Sequence, residues 1–170
     1  SPVVTNVTFT GNTAGFDGGA MVNDILSSSI GTAQPTITNT IFFDNVAPNV
    51  GDAIFNRGNG AVPAIRHSLF TDGVSNDVNG TLSVNENNLA GDPLFADAST
   101  PGGPDGTFAT NDDGLRLTSN SPALDRGSAD ALDIDSNGTR DLTIDLTGGD
   151  RAFAATVDLG AYERRQYEST

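Results

Sequence analysis

Aspartate spacing is the first chemistry this chain offers. Asp133, Asp135, Asn137 and Asp141 stand at positions 1, 3, 5 and 9 of a calcium-loop spacing, with Gly138 at position 6. A hard cation needs several oxygen ligands converging from one short loop, and alternate residues of a tight turn can supply them. Position 12, where such loops carry a bidentate carboxylate, is Ile144, and Asp145 comes one residue late. The loop is no EF-hand, and the expectation is a looser calcium cage. Asp105, Asp112 and Asp113, with Asn111 beside them, make a second and weaker candidate for the same ion. The competing reading for both clusters is that Asp and Asn cap turns through their own backbone. Calcium is the one cofactor suggested.

Catalytic groupings are thinner. Asp44 and Asp72 take equivalent places on neighbouring repeats, so their carboxylates are expected about one strand spacing apart, ~4.8 Å. Two carboxylates at short range are the acid/base equipment of glycosidases. Gly11 holds the same place in the first repeat, which favours a plain solvated turn. His67, the sole histidine, shares a column with Asn6 and Asn39. Its expected role is a polar ladder rather than a general base. Proton abstraction of the lyase type needs a basic side chain, yet the chain has no lysine, and its repeats hold only Arg57 and Arg66. The expectation is a protein that is not an enzyme.

The elements that position these residues come from a repeat. Pro2-Val3-Val4-Thr5-Asn6-Val7-Thr8-Phe9 returns 33 residues later as Pro35-Thr36-Ile37-Thr38-Asn39-Thr40-Ile41-Phe42. Asn12 returns as Asn45, and Gly18-x-Ala20-Met21-x-Asn23 as Gly51-x-Ala53-Ile54-x-Asn56. A third copy, Pro63 to Phe70, follows at a spacing of 28. Self-similarity at such a period marks a solenoid, whose coils bury their apolar faces only by stacking. The segments are short and rich in Val, Ile, Thr and Phe, punctuated by Gly, Asn and Pro, which reads as β-strand. The fold expected is all-β: a right-handed parallel β-helix of about three coils over residues 1–90. An irregular, β-rich extension over 91–170 is expected to pack on the helix end. Stacking puts Val4, Ile37 and Ile65 in one column and Phe9, Phe42 and Phe70 in another. The two columns lie an odd number of residues apart, so a bend between them must turn both inward. Thr81 to Val84 reads as a last short strand, and Leu115–Leu117, Leu142–Ile144 and Thr156–Leu159 as strands of the extension.

Composition narrows the function classes. There are 22 acidic and eight basic side chains, for a net charge of −14. That balance argues against nucleic acid and anionic membrane surfaces. No apolar run is long enough to cross a membrane as a helix. With no cysteine there is neither a disulfide framework nor a thiolate metal site. The chain opens directly on a repeat, with no terminal cap, which is expected of a fragment of a longer polypeptide or of a coil end that another copy covers.

The C-terminal part carries linked motifs: Asp92-Pro93-Leu94-Phe95, Gly114-Leu115-Arg116-Leu117 and Ser121-Pro122-Ala123-Leu124-Asp125. They continue through Asp133-x-Asp135-x-Asn137-Gly138-x-Arg140 and close on Val157-Asp158-Leu159-Gly160-Ala161-Tyr162-Glu163. This region resembles the C-terminal region of bacterial right-handed β-helix surface proteins of the choice-of-anchor Q type. The Phe-x-x-Asn-x-Ala and Gly-Gly-Ala units resemble repeats of those proteins and of polymorphic outer-membrane adhesins. The resemblance implies secretion or display at the cell surface, and no particular reaction. It also gives Arg140, Asp158 and Glu163 the role of a buried arginine–carboxylate lock on the C-terminal segment.

Together these readings point to an extracellular structural or adhesive module. It is expected to self-associate through its open first coil, head to tail into a filament, with surface glycans as further partners. The alternative is a polysaccharide-degrading enzyme, of lyase or glycosidase type, or its non-catalytic remnant.

Overall fold

β-branched and aromatic side chains fit a pleated, half-buried surface, and the repeats place them in runs of three or four. The structure is a computed structural model and describes residues 1–25, 31–152 and 156–165. The first coil holds β1 (Val3–Thr5), β2 (Thr8–Thr10) and β3 (Met21–Asp24). The second holds β4 (Thr36–Thr38), β5 (Ile41–Phe43) and β6 (Ile54–Arg57). The third has β7 (Ala64–Arg66), β8 (Leu69–Phe70), a one-turn helix α1 (Val74–Asp77) and β9 (Val78–Asn79). A fourth, incomplete coil adds β10 (Val84–Glu86) and β11 (Leu89–Ala90). Equivalent strands pair in parallel as three sheets, β1-β4-β7-β10, β2-β5-β8-β11 and β3-β6-β9. The fold is a parallel β-helix.

Register follows the repeat: Val4 pairs with Ile37, Phe9 with Phe42 and Asn23 with Asn56, and then Ile37 with Ile65 and Phe42 with Phe70. Phe9, Phe42 and Phe70 form one pile, with ring centroids 5.0 and 4.8 Å apart and planes within 9° of parallel. Ile37, Ile54 and Ile65 share their core. The bend that turns both columns inward is a single left-handed residue between the first two strands of each coil. Asn6, Asn39, His67 and Asn87 occupy it with φ of 55°, 52°, 45° and 54°. Asparagine tolerates that region better than other non-glycine residues, which explains the column's composition. Gly18 and Gly51 serve the next corner at positive φ, where a Cβ would come 2.4 and 2.3 Å from the carbonyl oxygens of Met21 and Ile54.

The coil count differs from the sequence expectation. Val84 pairs with Ala64 and Leu89 with Leu69, a fourth copy spaced by only 20 residues. It begins where the expected strand Thr81–Val84 ends, because the third coil keeps β9 but is shorter than the coils before it, so periodicity alone hides it. Asn85 sits over Ile65 and Ala90 over Phe70, which ends both apolar columns. Val74, Val78 and Leu82 close the core at this end.

Residues beyond 90 do not sit on the helix end. They run back along its flank as a strap, from the fourth coil to the first. The outer column of the second sheet explains this course. Ile41 and Leu69 are fully buried beneath Leu117, Ala123 and Leu159, and Phe95 meets Phe43 edge-on with centroids 5.8 Å apart. The strap is less regular than expected. Its described residues hold one 3-10 turn, Ala129–Leu132, and isolated bridges Phe95–Leu117, Gly127–Val157 and Ile144–Asp150 in place of strands. Turns and Asp side chains satisfy its backbone instead.

Candidate functional site

The strap grips the left-handed corner of three coils in turn. On the third, His67 Nδ1 lies 3.1 Å from the Arg126 carbonyl, which can only accept. Nδ1 therefore carries the proton, and Nε2 accepts from Asn87 Nδ2 at 3.2 Å. On the second coil Asn39 is fully buried; its Nδ2 donates to Ser128 O at 2.9 Å and its Oδ1 accepts from Ser128 N at 2.8 Å. On the first, the Asn6 carboxamide oxygen, oriented to satisfy its neighbours, accepts from Arg151 Nε at 2.5 Å and Nη2 at 3.0 Å. Both ring nitrogens of His67 are thus engaged in the seam. Beside it the seam opens into a groove of about 420 Å³ lined by His67, Asn87, Asn88, Leu89, Asp125 and Arg126.

The strongest ion-binding candidate does assemble. Ligand atoms of Asp133, Asp135 and Asp141 all lie within 4.8 Å of one another. The loop's own N–H groups hold them: Asn137 N donates to Asp133 and Asp135, Gly138 N to Asp133 at 2.7 Å, and Ile134 N to Asp141 at 2.7 Å. Asn137 Oδ1 accepts from Thr139 N at 2.8 Å while its Nδ2 donates to Asp135 at 2.9 Å, so its oxygen serves the turn rather than joining the trio. An oxygen-only set of three carboxylates, two exposed and Asp133 half-buried, suits a hard cation such as calcium, and it equally suits a self-capped turn. The second cluster does not converge. Asp113 is buried and accepts from Tyr162 Oη at 2.7 Å, from Ala109 N at 2.8 Å and from Thr110 N at 3.0 Å. Burial works against that carboxylate, but these donors outweigh it and hold its pKa below the usual range. Asp105 caps Thr107 N and Asp112 accepts from Thr110 Oγ1. Three acids close in sequence were drawn to three separate tasks.

The basic candidates are held in inter-coil ion pairs, and Asp44 N donates to Thr71 Oγ1, next to Asp72, at 2.8 Å. Arg57 pairs with Asp24 across β3 and β6, and Arg66 with Glu86 at 3.1 Å across β7 and β10. Asp44 and Asp72 are both exposed. Asp44 stands at φ 51° where Gly11 has 63°, a left-handed turn shared by the first two coils and not by Asp72 in the third.

The arginine–carboxylate lock exists with a different arginine. Arg140 is exposed, whereas Arg151 is 2% exposed and shares an enclosed site with Asp158, Glu163 and Asp145. Arg151 donates to Gly160 O, while its Nη1 finds no partner among the described residues. Glu163 accepts from Asp158 N, and Asp158 accepts from Asp125 N at 2.7 Å and Arg164 N at 2.8 Å. Burial, reinforced by the Asp158 charge, pushes the Glu163 carboxyl up to about 8. Burial also raises Asp158 and lowers Arg151. Arg151 left no sequence signal because nothing near it repeats. Tyr162 and Glu163 did lie within one of the linked C-terminal motifs. No protein-family model and no curated protein matches this chain.

Two asparagine ladders complete the polar framework. Asn12 Nδ2 donates to Asn45 Oδ1 at 2.8 Å, and Asn45 Nδ2 to Phe9 O at 3.0 Å. Asn23 Nδ2 donates to Asn56 Oδ1 at 2.7 Å. Among the described residues the first coil ends these ladders, and β1, β2 and β3 each pair on one side only. Val4, Phe9 and Met21 there are half-buried, unlike their counterparts in the second coil.

Proposed function

We propose that this protein is a structural and adhesive β-helix module of a secreted or surface-displayed polypeptide. It works by stacking its first coil on another β-coil. The observation that carries this reading is the in-register stack of parallel coils, whose aromatic, asparagine and ion-pair columns all serve cohesion between coils. Unpaired strand edges template the addition of further strands. The likeness of the C-terminal motifs to those of β-helix surface proteins supports the reading, as does the use of His67, Arg57 and Arg66 in inter-coil contacts. Light scattering and electron microscopy across a concentration series test it, with assemblies joined through the first coil as the expected result. A strictly monomeric protein that releases sugars from pectin-like or alginate-like polymers, with loss of release in Asp72→Asn, would replace it by the enzymatic reading.

Calcium belongs to the same proposal, held by Asp133, Asp135 and Asp141 and stiffening the strap. Calcium is expected to raise the melting temperature of the parent, and the Asp133→Asn/Asp141→Asn variant is expected to lose that response. Equal melting in calcium and in chelator would leave the loop as a turn alone.

A further inference from the structure

We infer that the groove beside His67 is a binding site for neutral, polyhydroxylated sugar units, which gives the module a glycan partner. The inference rests on the adhesive reading above and names what is adhered to. The groove lies where the strap crosses the corners of the third and fourth coils. His67 follows β7, Asn87 and Leu89 lie at the end of β10 and in β11, and Asp125 and Arg126 belong to the strap. Its volume of about 420 Å³ falls within the span of small-molecule sites, roughly 300–1,000 Å³.

The backbone around the groove is pinned. Arg126 O accepts from His67 Nδ1 at 3.1 Å, and Asp125 N donates to Asp158 at 2.7 Å. Gly127 N donates to Val157 O at 2.7 Å and Leu89 N to Ser68 O at 2.8 Å. His67, Asn87 and Asp125 all stand at positive φ, 45°, 54° and 54°. The first two are coil corners, whereas Asp125 adopts this conformation on the strap with no repeat to impose it. Residues held in so sparsely populated a region gather where the surroundings over-determine them, as at ligand clamps.

The side-chain heads are free by contrast. Asp125 and Arg126, neighbours in the chain, are both exposed and form no ion pair among the described residues. The Asp125 carboxylate and Asn87 Oδ1 accept no hydrogen bond among the described residues, and the Arg126 guanidinium donates none. A fixed floor thus carries one carboxylate, one guanidinium and one carboxamide oxygen, all available.

That mixture selects the ligand. Neighbouring hydroxyls both donate and accept, so a sugar edge gives its protons to Asp125 and Asn87 while its oxygens take the Arg126 fork. Leu89, half-buried in the lining, meets the carbon–hydrogen face of the ring. An extended peptide binds chiefly through main-chain hydrogen bonds, and the main-chain groups named above are already engaged. An anionic ligand is opposed by Asp125, whose charge reaches the Asp158 and Glu163 carboxyls behind it, and by the net charge of −14. With no aromatic ring in the lining, each site binds weakly, and an assembly of modules strengthens attachment by multivalency.

Nitrogen-15 NMR titrations of the full chain with lactose, maltose, cellobiose and mannobiose test the inference. At least one of these neutral disaccharides is expected to shift the Asn87 side-chain amide and the Leu89, Arg126 and Gly127 backbone amides until they saturate. Digalacturonate is expected to bind about ten-fold more weakly, or not at all. Arg126→Ala should weaken binding about ten-fold, the usual effect of losing a hydrogen bond from a charged group, with its melting temperature unchanged. Asp125→Asn should also weaken it, since asparagine keeps the left-handed backbone and removes only the charge. No saturable shift at the groove with any of the four, or tighter binding of digalacturonate than of all four, overturns the inference. If light scattering still shows assembly in that case, the stacking reading stands without a sugar partner. Saturable binding by a chain that never assembles keeps the groove and removes the stacking.

Discussion

At the scale of single residues, the charged groups with the most perturbed surroundings hold the strap rather than face an open cleft. Glu163 shows the consequence for pH. Its carboxyl is raised to about 8 in the folded chain, from the ordinary value of 4.5. The folded state therefore binds this proton more tightly than the unfolded chain does. The stability gained is complete below about pH 4.5 and is lost as pH rises through about 8. Asp158 moves in the same direction and adds to the trend. A pKa that differs by one between the folded and unfolded chain corresponds to about 1.4 kcal/mol, so the loss should amount to a few kcal/mol across that window. Denaturant melts between pH 5 and pH 9 should show it, and Glu163→Gln should flatten the profile. A parent with flat stability over that range would contradict the enclosed carboxyl. His67 gives a second prediction at this scale. Asparagine should replace it at little cost, since Asn39 and Asn87 already hold the same left-handed backbone. His67→Val should lose roughly 1–3 kcal/mol, because a β-branched side chain strains that conformation. Equal melting temperatures for the two variants would show that the corner backbone carries no constraint.

At the scale of elements, each strand is too short to be stable alone, and cohesion comes from columns. Phe42 lies between Phe9 and Phe70 and is enclosed, whereas Phe9 is capped on one side only. Phe42→Ala should therefore cost about 3–5 kcal/mol, the usual range for emptying a buried aromatic site. Phe9→Ala should cost distinctly less. Chemical denaturation of the two variants decides the order, and a larger loss at Phe9 would mean that the column is anchored at its open end. Strand identity was legible from the repeat, because identical spacing and β-branched content force equivalent residues into register. The fourth copy was not, since the third coil is shorter than those before it and the spacing fell to 20. The strands expected in the strap failed for another reason. Leu115–Leu117 and Leu142–Ile144 find only isolated bridging partners, and local turns satisfy their neighbours.

At the scale of the molecule, the helix and its strap are one cooperative body. Ile41 and Leu69 point outward from the second sheet, yet both are fully buried by the strap. A chain cut after Gly91 should expose them and bind more hydrophobic dye than the intact chain at the same concentration; dye fluorescence compares the two. A soluble, non-binding truncation would show that the coils stand without their cover. A trace of this arrangement was already readable. Ile41-Phe42-Phe43 is apolar at every position where Thr8-Phe9-Thr10 alternates, and an unbroken apolar run marks a strand covered on both faces.

The primary structure alone settled the winding: a 33-residue period in β-forming residues leaves stacked coils as the economical way to bury Val4, Phe9 and their successors. It also required a bend between the two apolar columns and brought Asp133, Asp135 and Asp141 to one loop, because such turns are built from neighbours in the chain. Folding in three dimensions decided which arginine entered the lock, where the strap lay and which acids parted company. Those outcomes depend on contacts between residues as distant as Thr8 and Ala161, and no local pattern encodes a meeting of that range.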